Sequence, residues 1–159
     1  MTVFSRRRVD HLAVARDHVF RRGDWPTQPQ FDPDDRWYAR IAETSDYEVW
    51  LLSWMPGQGT DLHDHGDSAG AFTVVSGELV ELTPEAANAG EAPKLTERTL
   101  GAGRGHRFGR RYIHQVTNRG VRPAVSVHVY GPALKTMTRY EMTDEGLRVI
   151  AVDLEGAQW

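Results

Sequence analysis

The chain has 159 residues, enough for a single domain with a substantial hydrophobic core, and its net charge of −3 does not favour a nucleic-acid or membrane-surface partner. It contains no cysteine, which excludes disulfides, thiolate metal ligands and a cysteine nucleophile. No apolar run approaches a membrane span and no secretory signal is evident, so we expect a cytoplasmic protein that acts as a monomer.

The N-terminal part predicts a helix followed by an irregular connector. Apolar side chains recur near a helical period over residues 9–22, and Gly23 is a plausible stop signal. Three prolines fall within residues 24–35. We therefore expect residues 1–35 to form a helix and connector that pack on the same domain as residues 36–159.

From residue 37 onward the chain consists of short β-rich runs separated by turn residues such as Pro56-Gly57 and Gly131-Pro132. Many short strands at this spacing indicate an all-β sandwich or barrel. The predicted strands cover residues 37–43, 48–55, 71–76, 78–83, 95–100, 112–118, 124–130, 136–142 and 147–153.

Two histidines one residue apart suggest a metal site. His63 and His65 follow a glycine-containing turn, and in a strand their side chains would point to the same face. Two imidazoles on one face can chelate one metal ion. His114 is the candidate for a third ligand because it lies in a predicted strand, whereas His106 lies in a Gly- and Arg-rich turn and is expected at the surface.

The spacing of these histidines resembles the two motifs of the cupins, double-stranded β-helix proteins whose interior holds a metal. The first motif is matched by residues 57–77 and the second by residues 103–118. One departure is that the glutamate usual in the first motif falls on Gly70, and another is that the Pro-x-Gly of the second motif is Gly109-x-Arg111. The resemblance implies a cupin β-barrel over residues 36–159.

The missing glutamate has a consequence for the charge of the site. Three neutral imidazoles leave a divalent ion with a charge of about +2, against about +1 for two histidines and a carboxylate. Such a site favours an anionic, soft ligand such as a thiolate. Zinc bound by three histidines and a water is the alternative.

A second group of polar residues lies on one predicted strand. Ser126, His128 and Tyr130 alternate with valines, so all three would share a face, and a hydrogen-bonded relay would satisfy them if that face is buried. The alternative is the polar outer face of an edge strand.

Taken together, these motifs resemble the thiol dioxygenases, and in particular a bacterial, arginine-type member of the cysteine dioxygenase type I family. The resemblance runs from about residue 37 to residue 132. It is carried by Tyr38-Ala39-Arg40, by residues 54–59, by His63-Asp64-His65-Gly66-Asp67-Ser68, by residues 113–116 and by residues 123–130.

The resemblance implies a role for each candidate. His63, His65 and His114 would ligate a mononuclear Fe²⁺, and Tyr130 would be the active-site tyrosine, oriented by His128 and Ser126. Arg40, together with Tyr38, would bind the substrate carboxylate; Arg36 would share their face on a strand. Gly70 stands where animal members have a cysteine cross-linked to the tyrosine, so Tyr130 would be uncrosslinked.

The implied reaction adds both atoms of O₂ to the sulfur of L-cysteine and gives cysteine sulfinic acid. A sister activity on 3-mercaptopropionate or another small thiol is the nearest alternative; relatives with that preference tend to carry glutamine where Arg40 falls. An alternative of another class is a non-catalytic metal-binding cupin module, which would keep the three histidines but has no need of the Ser-His-Tyr strand.

Overall fold

A computed structural model describes residues 7–85 and 87–155. The described residues contain a helix near the N terminus followed by a succession of short strands. The helix α1 spans His11–Phe20, and the strands are β1 (Tyr38–Glu43), β2 (Glu48–Trp54), β3 (Leu62–Asp64), β4 (Ala69–Ser76), β5 (Glu78–Glu85), β6 (Lys94–Gly101), β7 (Gly105–Phe108), β8 (Gln115–Thr117), β9 (Ala124–Gly131), β10 (Thr136–Thr143) and β11 (Gly146–Leu154).

The strands pair antiparallel in three groups within the described residues. One sheet has the order β1-β2-β9-β4-β7, a second has β11-β10-β3 and a third has β6-β5-β8. Neighbours in these sheets are mostly distant in sequence, as in a jelly roll. The all-β prediction, with a short helical segment before the strands, is confirmed.

Strand β9 separates two hydrophobic clusters formed by the described residues. Its valines Val125, Val127 and Val129 pack with Ala15 of α1, and Tyr130 packs in the other cluster, among residues of β2, β4 and β5. The period of two therefore gives β9 one apolar face for the helix and one face for the interior. This arrangement places Ser126, His128 and Tyr130 inside the fold, all less than a tenth exposed.

Helix α1 is held on the barrel by its first turn. The Asp10 side chain caps the helix by accepting a hydrogen bond from the backbone N–H of Ala13 (3.1 Å), and it also pairs with Arg107 of β7 (2.7 Å). The helix is shorter than predicted because a tight 3-10 turn, Arg22–Asp24, follows it. No described helix has the length and apolarity needed to cross a membrane.

Two strands of the structure are absent from the predicted set. Strand β3 has only three residues, and β7 lies in the Gly- and Arg-rich segment that was predicted to be a turn. The strand predicted over 112–118 is shorter, Gln115–Thr117, although His114 still forms an isolated bridge with His63. These differences concern β3, which carries His63, β7, which carries His106, and β8, which begins directly after His114.

Candidate active site

Three buried histidines converge at the meeting point of β3 and β8. His63 lies in β3, His65 directly after it and His114 directly before β8, and each is at most 4% exposed. The backbones of His63 and His114 exchange two hydrogen bonds, of 2.9 and 3.0 Å. One potential ligand atom from each imidazole then lies within 4.8 Å of the others. The structure thus brings together the three histidines predicted from the sequence.

The hydrogen bonds of two of these rings leave their Nε2 atoms free to bind a metal. The Nδ1–H of His63 donates to the carbonyl oxygen of Asp61 (2.8 Å), and the Nδ1–H of His114 donates to Glu81 (2.8 Å). A neutral imidazole carries one proton, so in both rings the lone pair is on Nε2.

The donor set fits a metal ion. The Nε2 atoms of His63 and His65 are 3.2 Å apart, close to the spacing of about 3.3 Å that two nitrogens have on a tetrahedral zinc. The Nδ1 atom of His65 is buried and has no hydrogen-bond partner among the described residues. A single cation bound by all three imidazoles would explain why these rings are packed so closely.

The surroundings keep these histidines neutral, as metal ligands must be. Burial lowers the pKa of His63 and His65 well below the usual value, and the neighbouring imidazoles lower them further. Burial also lowers the pKa of His114, although its hydrogen bond to Glu81 acts in the opposite direction.

The polar residues of β9 form a chain of hydrogen bonds. The indole N–H of Trp54 donates to the Ser126 hydroxyl (2.8 Å), which lies 2.8 Å from Nε2 of His128, and Nδ1 of His128 is 3.4 Å from the Tyr130 hydroxyl. Because an indole can only donate, the arrangement that uses every group has Ser126 donating to His128 and His128 donating to Tyr130. The phenolic proton of Tyr130 is then left for a partner in the cavity.

This chain ends beside the histidine cluster. The rings of Tyr130 and His65 are 4.9 Å apart. Burial raises the pKa of Tyr130, so the phenol remains protonated, and burial, together with the neighbouring His114 imidazole and the Arg36 guanidinium, lowers the pKa of His128 to about 3. His128 is therefore a neutral relay, and Tyr130 is a hydrogen-bond donor.

A cavity of about 480 Å³ opens beside the histidines. Its wall includes His63, His114, Tyr130 and the apolar side chains Leu52 and Leu134. The cations Arg36 and Arg139 also line this cavity. The guanidinium carbon of Arg36 is 5.2 Å from the centre of the Trp54 ring, whereas Arg139 pairs with Asp61 and Asp153. Burial lowers the pKa of Arg36, and the acidic groups Tyr130, Tyr38 and Asp61 oppose that effect.

Arg40, by contrast, does not line the cavity. Its side chain is half exposed, and its guanidinium lies 3.4 Å from Glu43 and 3.7 Å from Glu48. Tyr38 does line the cavity, so the structure separates the pair that the sequence had put in one role. The difference arises because Arg40 lies further along β1, opposite Trp50, next to two carboxylates that attract it.

The structure also contains an acidic residue that the sequence analysis missed. Glu81 is buried on β5 and accepts hydrogen bonds from His114 and from Nε2 of His106, at 2.7 Å. The expectation that His106 is a surface residue was wrong, because β7 turns its ring toward Glu81. By the period of two of a strand, Glu81 shares a face with the apolar Leu79 of β5, and this is the sequence signal that could have identified Glu81.

An antiparallel jelly roll with three histidines converging in its interior defines a cupin with a metal-binding site. The family model for cysteine dioxygenase type I matches residues 4–143. The chain belongs to that family and is a cupin thiol dioxygenase, an enzyme whose reactants are a small-molecule thiol and O₂.

Individual relatives agree with this assignment. The cysteine dioxygenase type 1 of Rattus norvegicus is 26% identical over 138 residues, which cover 81% of this chain and 67% of the relative. A Klebsiella pneumoniae protein with a double-stranded β-helix domain is 25% identical, with a TM-score of 0.52 over 65% of this chain and 82% of its own. A Thermus thermophilus structure, 21% identical, has a TM-score of 0.56 over 66% of this chain and 90% of its own, and shows the fold.

Proposed function

We propose that the protein holds Fe²⁺ through His63, His65 and His114 and converts L-cysteine to cysteine sulfinic acid. The sulfur gains both atoms of O₂, and no further reductant is needed because the thiol and O₂ together have the composition of the product. The observation that supports this proposal is one cavity whose wall contains Tyr130, Arg36 and two members of the histidine cluster, His63 and His114.

In this proposal Arg36, and not Arg40, binds the substrate carboxylate. A guanidinium presents a planar set of donors that matches a carboxylate, and its interaction is strengthened by removal from water. Arg36 is at the cavity wall, whereas Arg40 interacts with Glu43 and Glu48. A carboxylate fixed by Arg36 would orient the thiol toward the histidines.

Tyr130 donates a hydrogen bond to the reacting groups. Its hydroxyl is held by His128, which is held in turn by Ser126 and Trp54. We assign Tyr130 a catalytic role and His128 and Ser126 a positioning role. Because the phenol pKa is raised by burial, Tyr130 acts as a donor and not as a phenolate.

An apolar part of the cavity wall limits the water beside the histidines. Leu52, Leu134 and Met137 line it and are each less than a tenth exposed. A ferrous ion would supply the redox chemistry that activates O₂ and the thiol, and the protein would supply orientation and a dry site. Fe²⁺ is the proposed metal because the family is a dioxygenase family.

The proposal of cysteine as the substrate is supported by the family and by the named activity of the rat relative. Arg40, the residue that favours cysteine in the sequence, does not line the cavity. Arg36 could bind the carboxylate of 3-mercaptopropionate equally well. The two thiols must therefore be compared directly.

The test is oxygen uptake by protein reconstituted with Fe²⁺ without air and then given three thiols. L-cysteine has both a carboxylate and an amine, 3-mercaptopropionate has only the carboxylate and cysteamine only the amine. We expect kcat/KM to fall in that order, with cysteamine at least about tenfold below cysteine because it lacks the partner of Arg36.

Zinc-loaded protein is the control and should consume no oxygen. Oxidation of 3-mercaptopropionate in preference to cysteine would contradict the substrate assignment. Efficient oxidation of cysteamine would contradict carboxylate recognition, and the absence of oxygen uptake with every thiol would contradict the proposed reaction.

A further inference from the structure

Glu81 is a carboxylate buried in the interior of the fold, only 2% exposed. One of its oxygens lies 2.8 Å from Nδ1 of His114, and both oxygens lie within 2.9 Å of Nε2 of His106. A buried carboxylate is costly unless hydrogen bonds compensate it, and these two imidazoles provide them. These hydrogen bonds explain how a buried carboxylate is tolerated at position 81, but they do not explain why an acidic residue is there.

The geometry around His114 suggests a reason. The hydrogen bond from Nδ1 to Glu81 fixes the tautomer and the rotation of the ring, so that Nε2 faces His63 and His65. His63 is held in a similar way, but by a neutral acceptor, the carbonyl oxygen of Asp61. His114 is thus the ligand candidate with an acidic partner on its outer nitrogen.

We infer that Glu81 is a positioning residue for the metal site, one that orients His114 and supplies a negative charge through it. The carboxylate missing from the ligand set at Gly70 is in this way replaced by one located a single hydrogen bond further from the metal. His106 fixes the other side of the carboxylate and lies 18% exposed between Glu81 and the surface. Outer partners of this kind raise the basicity of a ligating imidazole.

The test compares the metal affinity of Glu81→Gln with that of Glu78→Gln, using zinc and a competing chelator. Glutamine keeps the size of the side chain and an oxygen that can accept from His114, but it removes the charge. Glu78 is on the same strand and is exposed, so it is the matched control. We expect zinc binding by E81Q to weaken about 10- to 100-fold, with E78Q unchanged.

The iron-loaded proteins provide a second readout that a purely structural role would not change. Loss of the negative charge should stabilise Fe²⁺ relative to Fe³⁺. The reduction potential of E81Q should therefore lie above that of the wild type and of E78Q. Equal zinc affinity and equal potential in E81Q and E78Q would overturn the inference.

The wild-type protein provides a test that does not depend on any variant folding. Nitrogen-15 NMR of the imidazoles should show the proton of His114 on Nδ1 in both the metal-free and the zinc-loaded protein. A proton on Nε2 in the metal-free protein would contradict the inference.

The inference rests on the proposed metal site, but its readouts use neither thiol nor oxygen. If zinc affinity falls in E81Q as expected but the iron-loaded protein does not oxidise cysteine, the proposed function alone is contradicted. A protein that oxidises cysteine, with zinc affinity and reduction potential both unchanged in E81Q, would contradict this inference alone.

Discussion

Arg36 and Arg40 lie on either side of Tyr38, and their guanidinium groups have different surroundings. Arg36 faces the Trp54 ring at the cavity wall, and Arg40 lies near Glu43 and Glu48 with half of its side chain in solvent. The ion pair of Arg40 with Glu43 is exposed and contributes little to stability. A cation at a cavity wall is better suited to binding an anionic substrate.

Replacing Arg36 by glutamine should raise KM for cysteine about 10- to 100-fold, the effect of losing a charge-assisted hydrogen bond. The matched variant, Arg40→Gln, should leave KM within about twofold because Arg40 does not line the cavity. Steady-state oxygen uptake measures both. A raised KM in R40Q with a normal KM in R36Q would return the carboxylate role to Arg40.

Among individual side chains, the sequence predicts the clustered histidines and the hydrogen-bonded relay of β9, but it does not predict the positions of Arg36 and Glu81. His63 and His65, like Ser126, His128 and Tyr130, follow a period of two, which is a local property of a strand. Arg36 precedes β1, so the direction of its side chain depends on how the connector packs near Trp54. Glu81 becomes notable only when β7 and β8 bring His106 and His114 to it.

At the scale of elements, Gly70 of β4 explains why the site lacks a carboxylate ligand. Gly70 pairs with Tyr130 of β9. A Cβ atom at this position would overlap the carbonyl oxygen of Val129 and come within 2.8 Å of the Phe108 ring. Any larger side chain would therefore have to move β9, the strand that carries the relay.

Gly70→Ala should reduce the free energy of unfolding by about 1–3 kcal/mol, the usual range for overpacking an interior. Gly101→Ala is the control, because a Cβ there would meet nothing within 4 Å. Urea denaturation compares the two. Equal stability of G70A and G101A would show that β4 and β9 can separate without cost.

The elements themselves could be predicted where they are long and alternate regularly. Strands β2, β9 and β10 lie within one residue of their predicted ends at both termini. Strand β3 is too short to produce a pattern, and β7 contains glycine and arginine and forms because it pairs with β4. Such strands are defined by their partners and not by their own sequence.

At the scale of the whole molecule, the site depends on all three sheets. The relay is in the five-stranded sheet, His63 is in the sheet of β10 and β11, and Glu81 is in the sheet of β5 and β6. The isolated bridge between His63 and His114 connects the latter two sheets. The cupin class could be predicted because its motifs mark the strand ends. The shape of the cavity could not be predicted because it depends on how the three sheets pack against one another.

The proposed reaction delivers both atoms of one O₂ molecule to one thiol sulfur. The most direct measurement is mass spectrometry of the product formed by iron-loaded protein from L-cysteine under oxygen-18 gas. For this reaction we expect cysteine sulfinic acid in which both sulfinate oxygens are oxygen-18. A product with a single labelled oxygen, or cystine alone, would contradict it.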